Sequence, residues 1–175
     1  MKRRSQKAIS KNPYYKVRSI AVVRNEVKEP GQKDWNEIIS EIKVDDDLAE
    51  ALKGIEEFSN VYVLYYLHKR GEVSVRTIKP RKRDDMPEVG VLASRSPNHP
   101  NPLGLTLVEL LEKKGNTLVV KGLDAIDGTP IIDIKPYNGY HDSVNGERIP
   151  KWLRRLIKES EEEKSRRGTH VLEGV

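Results

Sequence analysis

Short β-rich runs recur along this chain at even spacing, and they restrict its possible folds more than any other feature. Val, Ile, Leu, Thr and Tyr dominate the runs, whereas Gly, Pro, Asn and Asp gather between them. Many short strands with few helices are typical of a small closed or nearly closed barrel. The alternation of strand and helix that marks a Rossmann sheet is absent, as is any Gly-x-Gly-x-x-Gly motif. We therefore predict a mainly β fold: a small single-sheet β-barrel with a few short helices and a C-terminal helical tail.

The predicted strands follow from composition and alternation. Residues 60–68 form an almost wholly apolar and aromatic run, which predicts a core strand covered on both faces. The alternating segment 72–79 is expected to pair with this strand as a hairpin. A second hairpin is expected between 105–112 and 117–123, because a Gly-Asn pair between them supplies a turn. Further strands are predicted at 17–24, 37–44 and 131–134.

Two helices are predicted from the remaining periodicity. Asp45, Asp46 and Asp47 precede apolar residues spaced by four and three, which predicts a short helix ending near residues 54–58. Because a helix start favours negative charge, we interpret these aspartates as capping residues rather than metal ligands. The segment 151–167 begins with an apolar face and continues as a charged, solvated tail. Its apolar positions are Trp152, Leu153, Leu156 and Ile157.

The composition is that of a soluble globular protein with one hydrophobic core and ragged ends. Of its 175 residues, 36% are hydrophobic and 34% are charged. The absence of cysteine excludes disulfides, thiolate catalysis and cysteine-based zinc sites. No apolar run approaches the roughly 20 residues of a membrane span and no secretory signal is evident, so we expect a cytoplasmic protein.

Positive charge is concentrated in two places, and this placement matters more than the net charge of +5. Seven basic residues and no acidic residue lie between positions 2 and 18. A second cluster follows a predicted strand and consists of Lys79, Arg81, Lys82 and Arg83. Such clusters suit a polyanionic partner, although basic tails also serve only solubility.

A loop stiffened by proline separates two β-rich runs, 89–93 and 103–111. Pro97, Pro100 and Pro102 hold the dihedral angle φ near one value without supplying backbone donors, so we expect a rigid loop without regular secondary structure. The loop carries Arg95, Ser96, Asn98, His99 and Asn101. Rigid polar loops on a scaffold often form sites, and we interpret this one as a binding site rather than a plain connector.

A second polar constellation lies between residues 122 and 137. The sequence Asp-Gly-Thr-Pro at 127–130 is typical of a tight turn, because Gly tolerates positive φ and Asp accepts backbone amides. Asp133, Lys135 and Tyr137 then alternate with other residues, which places them on one face of an extended segment. They form either a polar site or a charge-balanced structural pair.

The proline-rich loop and this second constellation together resemble the TrmO family, also called YaeB-like or VirR-like. Its two long motifs match residues 94–104 and 127–137. Weaker likeness lies at 20–25, at 52–59 and in the strand that ends at Leu67-His68. The resemblance runs in unbroken order from about residue 17 to about residue 140. It predicts a methyltransferase domain at 17–142, a basic N-terminal tail at 1–16 and a C-terminal helical extension at 143–175.

The resemblance implies a single-sheet β-barrel methyltransferase that is usually dimeric. Such an enzyme uses S-adenosyl-L-methionine to methylate the exocyclic amine of N6-threonylcarbamoyl-adenosine beside the tRNA anticodon. Carried over residue by residue, its methyl-donor site falls on His68, Lys69, Arg95, Leu105, Ala125, Ile126, Asp127 and Gly128. This chain departs from the family pattern at His99, which replaces an arginine, and at residues 34–36, which replace Pro-Arg-Gln.

The implied chemistry requires no metal. Methyl transfer from a sulfonium to nitrogen releases a neutral leaving group, so the protein must supply alignment, a dry pocket and a proton acceptor. We hypothesise that the Asp127 turn helps to hold the donor and that Arg95 pairs with an anionic group of the donor or the substrate. His68 is either a positioning residue or a core histidine. The residues expected to order the acceptor are Asp133, Lys135 and Tyr137. Those expected to contact tRNA are Asn98, His99, Asn101, Lys79, Arg81, Lys82 and Arg83.

Two other function classes compete with this hypothesis. The first is a noncatalytic RNA-binding β-barrel, in which exposed aromatic rings would stack on bases. Its candidate rings are Trp35, Tyr62, Tyr65 and Tyr66. The second is a metal hydrolase, but its candidate ligands lack any recognised spacing. Those candidates are His99, His141, Asp133 and Asp142.

Overall fold

Eight strands form within residues 15–31, 34–71 and 75–172, the part of the chain that the computed structural model describes. In chain order they are β1 (Ala21–Arg24), β2 (Ile39–Val44), β3 (Asn60–Tyr66), β4 (Thr77–Ile78), β5 (Val89–Gly90), β6 (Leu103–Lys114), β7 (Thr117–Lys121) and β8 (Pro130–Pro136). Six of them close into a barrel in the order β1-β2-β7-β6-β3-β8. The predicted fold class is therefore confirmed.

The core of the barrel is formed by side chains that alternate along each strand. In β2 every second residue is buried, and in β7 Leu118 and Val120 are fully buried. Val61 and Val63 of β3 also point inward. This period of two is expected of strands with one face toward a core, and each fully buried Val, Ile or Leu contributes about 1.5–3 kcal/mol. Burial along these strands holds the ends of β1, β3 and β8 at defined positions.

The expectation that the run 60–68 has both faces covered is wrong. Tyr62 and Leu64 are only half-buried, and Tyr66 is 41% exposed. The physical reason is barrel closure, because the outward face of a strand in a small single-sheet barrel lies near solvent. Its aromatic composition therefore reflects β propensity on the outer face as well as burial on the inner face.

The predicted hairpin between this strand and the segment 72–79 is also wrong. β4 pairs with β5 in a separate two-stranded sheet, with Thr77 opposite Gly90 and Ile78 opposite Val89. Both edges of β3 are already occupied by β6 and β8. Residues 72–74 of the predicted strand lie outside the described residues. Long-range pairing has thus replaced the local pairing that the sequence suggested.

The other predicted strands are confirmed with changed boundaries. β6 and β7 form the expected antiparallel hairpin, with Gly115 at φ +59° in the turn. β1 and β2 are shorter than the predicted strands, whereas β8 extends to Pro136. The apolar run 89–93 is a strand only at β5, because it continues as a 3-10 turn at Val91–Ala93.

The helices are α1 (Gly139–Asp142), α2 (Lys151–Leu172) and several short 3-10 helices. The predicted short helix forms as two 3-10 segments, Asp46–Leu52 and Ile55–Glu57. The placement of acidic residues at the helix start is confirmed, because Asp46 and Asp47 lie in the first turn, but Asp45 makes no side-chain capping bond. Asp46 instead accepts a hydrogen bond from Asn116 Nδ2 at 2.7 Å. In the described ranges, no helix has the length and apolar character that a membrane crossing requires.

The chain divides into two compact units. The first unit combines the residues up to Tyr66 with Leu105–Pro136 and contains the barrel core. The second unit combines Leu67–Gly104 with the residues from Tyr137 onward, and it contains the proline-rich loop, the two-stranded sheet and both α-helices. Most of the basic segment 1–16 lies outside the described residues.

Candidate functional site

In the first unit, one asparagine links the end of β1 to the segment that precedes β8. Asn25 Nδ2 donates to the Ser40 hydroxyl and to the Ala125 carbonyl, each at 2.9 Å. Asn25 Oδ1 accepts from the Val27 amide at 3.0 Å, and the Asn25 amide donates to Asp127 Oδ1 at 3.1 Å. Ser40 is only 1% exposed, so Asn25 also satisfies a buried hydroxyl. Asn25 was not predicted, yet it positions the residues assigned to the methyl donor.

Asp127 is an ion-paired carboxylate in this turn. Its Oδ2 lies 3.0 Å from Lys28 Nζ, which also donates to the Asn25 carbonyl at 2.9 Å. The hydrogen bond from Lys28, and next the one from the Asn25 amide, lower the pKa of Asp127 below its usual range. Gly128 follows at φ +76°, in the left-handed region expected for the turn. Asp127 therefore stabilises the turn and is poorly suited to accept a proton.

Asp124, just before this segment, has the opposite electrostatic setting. The residue stays exposed, yet neighbouring protein atoms desolvate its carboxyl and raise its pKa. Its backbone carbonyl accepts a hydrogen bond from the Tyr65 hydroxyl, which also lies 3.2 Å from Thr106 Oγ1. Ala125 and Ile126 follow with buried side chains. Asp124 was not predicted, although its place next to the Asp-Gly turn was an available signal.

The polar residues of β8 contact each other directly. Lys135 Nζ lies 2.8 Å from Asp133 Oδ2, and Asp133 Oδ1 accepts from the Ile134 amide at 2.9 Å. This ion pair corresponds to the structural alternative that the sequence left open. Both side chains remain accessible to solvent, at 73% for Lys135 and 40% for Asp133. Tyr137 follows β8 and belongs to the second unit.

The turn after β3 carries two further residues assigned to the donor, His68 and Lys69. The Leu67 amide donates to the Pro102 carbonyl at 2.8 Å, which fastens this turn to the end of the proline-rich loop. His68 is half-buried and Lys69 is exposed. Both terminal nitrogens of the Arg70 guanidinium are buried without a hydrogen-bond partner among the described residues. The remaining assigned residue, Leu105, is exposed on β6 in the first unit.

The proline-rich loop is held in shape by its own polar side chains. Ser94 Oγ donates to the Val91 carbonyl at 2.7 Å and accepts from the Ser96 amide at 3.2 Å. Ser96 Oγ accepts from the Asn98 amide at 3.1 Å, and His99 Nε2 donates to the Ser94 carbonyl at 2.9 Å. These bonds leave His99 in a structural contact of the loop. They confirm the expectation that this loop has a defined shape without regular secondary structure.

Arg95 is the exception among the residues of this loop. It is exposed, and no hydrogen bond or ion pair engages its guanidinium within residues 15–31, 34–71 and 75–172. Asn101 is exposed as well, and its carbonyl accepts from the Leu103 amide at 2.8 Å. The loop therefore presents, on a backbone held by neighbouring residues, a cation that no described residue engages.

An open groove in the second unit brings several predicted residues together. This groove, here called the C-terminal groove, has a volume of about 1330 Å³. Residues 78–82 form one side, residues 92–98 form the second, and α2 forms the third. Arg95 and Asn98 thus line the same groove as the basic residues Lys79, Arg81 and Lys82. The contribution of α2 was not predicted, although its apolar face was the sequence signal.

The cations of the C-terminal groove differ in how far other groups engage them. Lys79 Nζ lies 2.9 Å from Asp84 Oδ1, and Arg81 donates to the Ser160 hydroxyl at 3.0 Å. Lys82, also exposed, has no ion pair within the described residues. Arg81 and Lys82 adopt φ values of +53° and +56°. A non-glycine residue in this left-handed region costs about 1 kcal/mol or more, so the local backbone is strained where these cations enter the groove.

The fourth basic residue of this predicted cluster, Arg83, has a different role. Arg83 pairs with Asp85 at 2.6 Å and with Glu159 of α2, and Arg155 pairs with the same two carboxylates. This Arg83 cluster lowers the pKa values of Asp85 and Glu159, in each case chiefly through the Arg83 hydrogen bond. It joins α2 to the segment that follows β4. The guanidinium of Arg83 is therefore engaged by carboxylates.

The residues of the alternative metal site are also engaged. His99 bonds within its own loop, the His141 ring lies edge-on to Tyr140 at 5.0 Å, and Asp142 accepts from the Asn138 amide. Across the residues that the structure describes, no group of three or more metal-binding side chains comes together. The hydrolase alternative therefore has no ligand set in this part of the chain.

Comparison with known proteins places these features in a family context. The pattern of the tRNA-methyltransferase O N-terminal domain matches residues 20–143. An S-adenosyl-L-methionine-binding protein of Archaeoglobus fulgidus is 39% identical over 133 residues, which cover 74% of this chain and 94% of the relative. A probable S-adenosyl-L-methionine-binding protein of the same organism is 41% identical over 137 residues, covering 76% of this chain but 37% of the relative.

Relatives that match a smaller part of the chain are named as enzymes. The tRNA (adenine(37)-N6)-methyltransferase of Escherichia coli is 40% identical over 101 residues, which cover 55% of this chain and 43% of that protein. The crystal structure of TrmO from Pseudomonas aeruginosa superposes with a TM-score of 0.62 at 28% identity, covering 78% of this chain and 62% of that one. The chain thus spans less than two thirds of several of these longer relatives. By the extent of the family match and of the archaeal relatives, the chain belongs to the tRNA-methyltransferase O N-terminal domain family.

Proposed function

We propose that this protein uses S-adenosyl-L-methionine to methylate the N6 of N6-threonylcarbamoyl-adenosine next to a tRNA anticodon. The observation that carries the proposal is Arg95, an exposed guanidinium with no partner among the described residues, on a loop whose own serines hold its backbone. The C-terminal groove, which Arg95 lines, presents further cations suited to RNA phosphates. Family membership supports the choice of reaction, and the names of the archaeal relatives support the choice of donor.

The residues of this chain fit the chemical groups of the donor. A guanidinium binds a carboxylate strongly, so Arg95 would hold the carboxylate of the methionine part. Leu105 offers an exposed apolar side chain, and the Asn25 contacts keep the backbone of residues 125–128 rigid. When bound, the donor supplies a methyl group on a cationic sulfur. His68 and Lys69 complete the proposed donor residues.

The acceptor nitrogen must lose a proton, and the carboxylates of the first unit differ in their ability to take it. Asp127 is bound to Lys28 and has a lowered pKa, so its contribution is to shape the turn. Asp124 has a raised pKa, which makes its carboxylate the stronger base. We assign proton acceptance to Asp124. Asp133 and Lys135 orient the acceptor, together with Tyr137.

The proposed partners are tRNA and a second copy of this chain. Lys82 and Arg81 would contact phosphates, since neither is held by a carboxylate in the described residues. Asn98 and Asn101 would contact the anticodon loop. Arg83 and His99 would act indirectly, because Arg83 joins α2 to its neighbours and His99 bonds within its loop.

The direct test is nucleoside mass analysis of tRNA that already carries the threonylcarbamoyl group, after incubation with the protein and donor. A gain of one methyl group on that nucleoside supports the proposal, and an unchanged mass contradicts it. Arg95→Ala should abolish the product and the calorimetric heat of donor binding, while thermal unfolding of the apo protein stays unchanged. Arg154→Ala removes an exposed cation of α2 outside the groove and serves as the matched control.

The noncatalytic RNA-binding alternative requires exposed aromatic rings on the barrel. Tyr65 is 3% exposed and its hydroxyl is engaged, which leaves Tyr66 as the most accessible of the three tyrosines of β3. A pure RNA-binding module would give no heat with S-adenosyl-L-methionine. Calorimetry with this donor therefore separates the two functions.

A further inference from the structure

We propose that the C-terminal groove binds a single-stranded segment of RNA and that Trp152 of α2 stacks on one of its bases. The identity of this RNA as the tRNA substrate rests on the proposed function, whereas the site follows from the groove itself. The family match ends at residue 143, so α2 lies outside it. Trp152 therefore belongs to a part of the chain to which the family pattern assigns no role.

The charge of the groove favours a phosphodiester backbone. Four cations line it and a single carboxylate, Glu161, accompanies them among its lining residues. The four are Lys79, Arg81, Lys82 and Arg95. Lys82 has no ion pair within the described part of the chain, so it is available to phosphates without first breaking one, whereas Arg95 is assigned to the carboxylate of the donor. Cations in such a groove bind a nucleic-acid backbone regardless of its sequence.

The other side of the groove is apolar and aromatic. Trp152 and Leu153 line it while remaining half-buried, and Ile157 is 42% exposed. Leu92 also lines the groove and is 73% exposed. A groove lined by both an aromatic ring and several cations matches a chain that alternates flat bases with charged phosphates. A single-stranded segment is required, because only an unstacked base offers a free face to the ring.

The size of the groove separates a polymer from a small molecule. Pockets for drug-sized ligands have volumes of about 300–1,000 Å³. The groove exceeds this range at about 1330 Å³ and opens to solvent. It therefore accommodates a chain segment of RNA better than one isolated nucleotide.

The aromatic and cationic sides are held together before any ligand binds. Glu159 and Arg155 of α2 pair with Arg83 and Asp85, and Ser160 accepts a hydrogen bond from Arg81. These contacts connect α2 to the residues that carry Arg81 and Lys82. A preorganised groove loses less entropy on binding than one that must assemble around its ligand.

Tryptophan emission provides a test that leaves Trp152 intact. The chain has two tryptophans, so Trp35→Phe makes Trp152 the sole emitter. A short single-stranded RNA of mixed sequence should quench this emission, whereas inorganic polyphosphate at equal charge should not. The same RNA annealed to its complement should quench less. Equal quenching by polyphosphate, or none by RNA, would overturn the proposal.

Affinity measurements on the full chain provide the second readout. By fluorescence anisotropy with labelled single-stranded RNA, Trp152→Ala should weaken binding about 5- to 150-fold, the range expected for loss of one stacked base. Trp152→Phe should restore most of the affinity because it keeps a ring. Lys82→Ala should lower the dependence of affinity on salt, and Arg154→Ala should alter affinity less than Lys82→Ala.

The outcomes separate this inference from the proposed function. An unchanged affinity in Trp152→Ala, with normal donor binding by calorimetry, would refute the stacking site alone. Absence of donor heat in the unmodified protein, with Trp152 emission still quenched by RNA, would refute the methyltransferase function alone. If Trp152→Ala fails to fold, the emission of Trp35→Phe and the affinity of Trp152→Phe still decide the question.

Discussion

Replacing Asn25 with Ala should lower the free energy of unfolding by about 3 kcal/mol. The side chain makes three hydrogen bonds, to the Ser40 hydroxyl, the Ala125 carbonyl and the Val27 amide, at 2.9–3.0 Å. A typical hydrogen bond contributes about 1 kcal/mol net, which gives the estimate. Ser40 is almost fully buried, so the loss of its partner adds a desolvation cost. Small domains are stable by only about 5–15 kcal/mol, so the effect is readily measured.

Urea denaturation followed by far-UV circular dichroism is the appropriate assay. Asn60→Ala is the matched control within the same unit, because Asn60 Nδ2 makes one longer bond, to the Val108 carbonyl at 3.2 Å, and its Oδ1 accepts only an exposed bond from the Ser59 hydroxyl at 2.9 Å. We expect that control to lose about 1 kcal/mol. Equal losses in the two variants, or a loss below about 1 kcal/mol in Asn25→Ala, would show that Asn25 does not hold residues 125–128 as we describe.

Three further predictions concern the turn, the proton acceptor and acid. Gly128→Ala should lose about 1 kcal/mol in urea denaturation, because its φ of +76° disfavours a Cβ, and a neutral result would contradict the turn. Asp124→Asn should lower kcat while donor affinity by calorimetry is kept, and an unchanged kcat would remove Asp124 as the base. The pKa values of Asp85 and Glu159 are lowered, so the stability that they contribute is present above their ordinary values of 3.8 and 4.5 and is lost as pH falls further. NMR titration of these two carboxyl carbons should give pKa values below those limits, and values at or above them would contradict the Arg83 cluster.

The barrel was predictable because local pattern and packing agree along most of its strands. β6 and β7 are joined by a short turn with Gly115, so composition and chain proximity both favour the hairpin. The pairing of 72–79 failed for the opposite reason. Turn signals favoured a local partner, whereas closure of the barrel had assigned both edges of β3 to strands distant in sequence. Closure of this kind is a property of the whole sheet, which no single segment reveals.

The residues of the candidate site were predictable only where several functional side chains lie close together in one short sequence motif. Three prolines and several polar residues identified the loop that carries Arg95. Asn25 could not be found in that way, because its role depends on contacts with Ser40 and Ala125, which are distant in sequence. Trp152 was recognised as part of an apolar helix face, but the surface opposite that face arises from tertiary packing. Single residues that join separated segments therefore escape sequence reasoning.

The consecutive left-handed residues Arg81 and Lys82 have a consequence for protein engineering. Gly or Asn accommodates such dihedral angles more readily, so a selection for heat resistance alone should enrich Lys82→Asn or Lys82→Gly. The same replacements delete a side chain that has no ion pair within the described residues. Variants selected for thermal tolerance should therefore carry Asn or Gly at position 82, whereas variants selected for polyanion binding should keep Lys82.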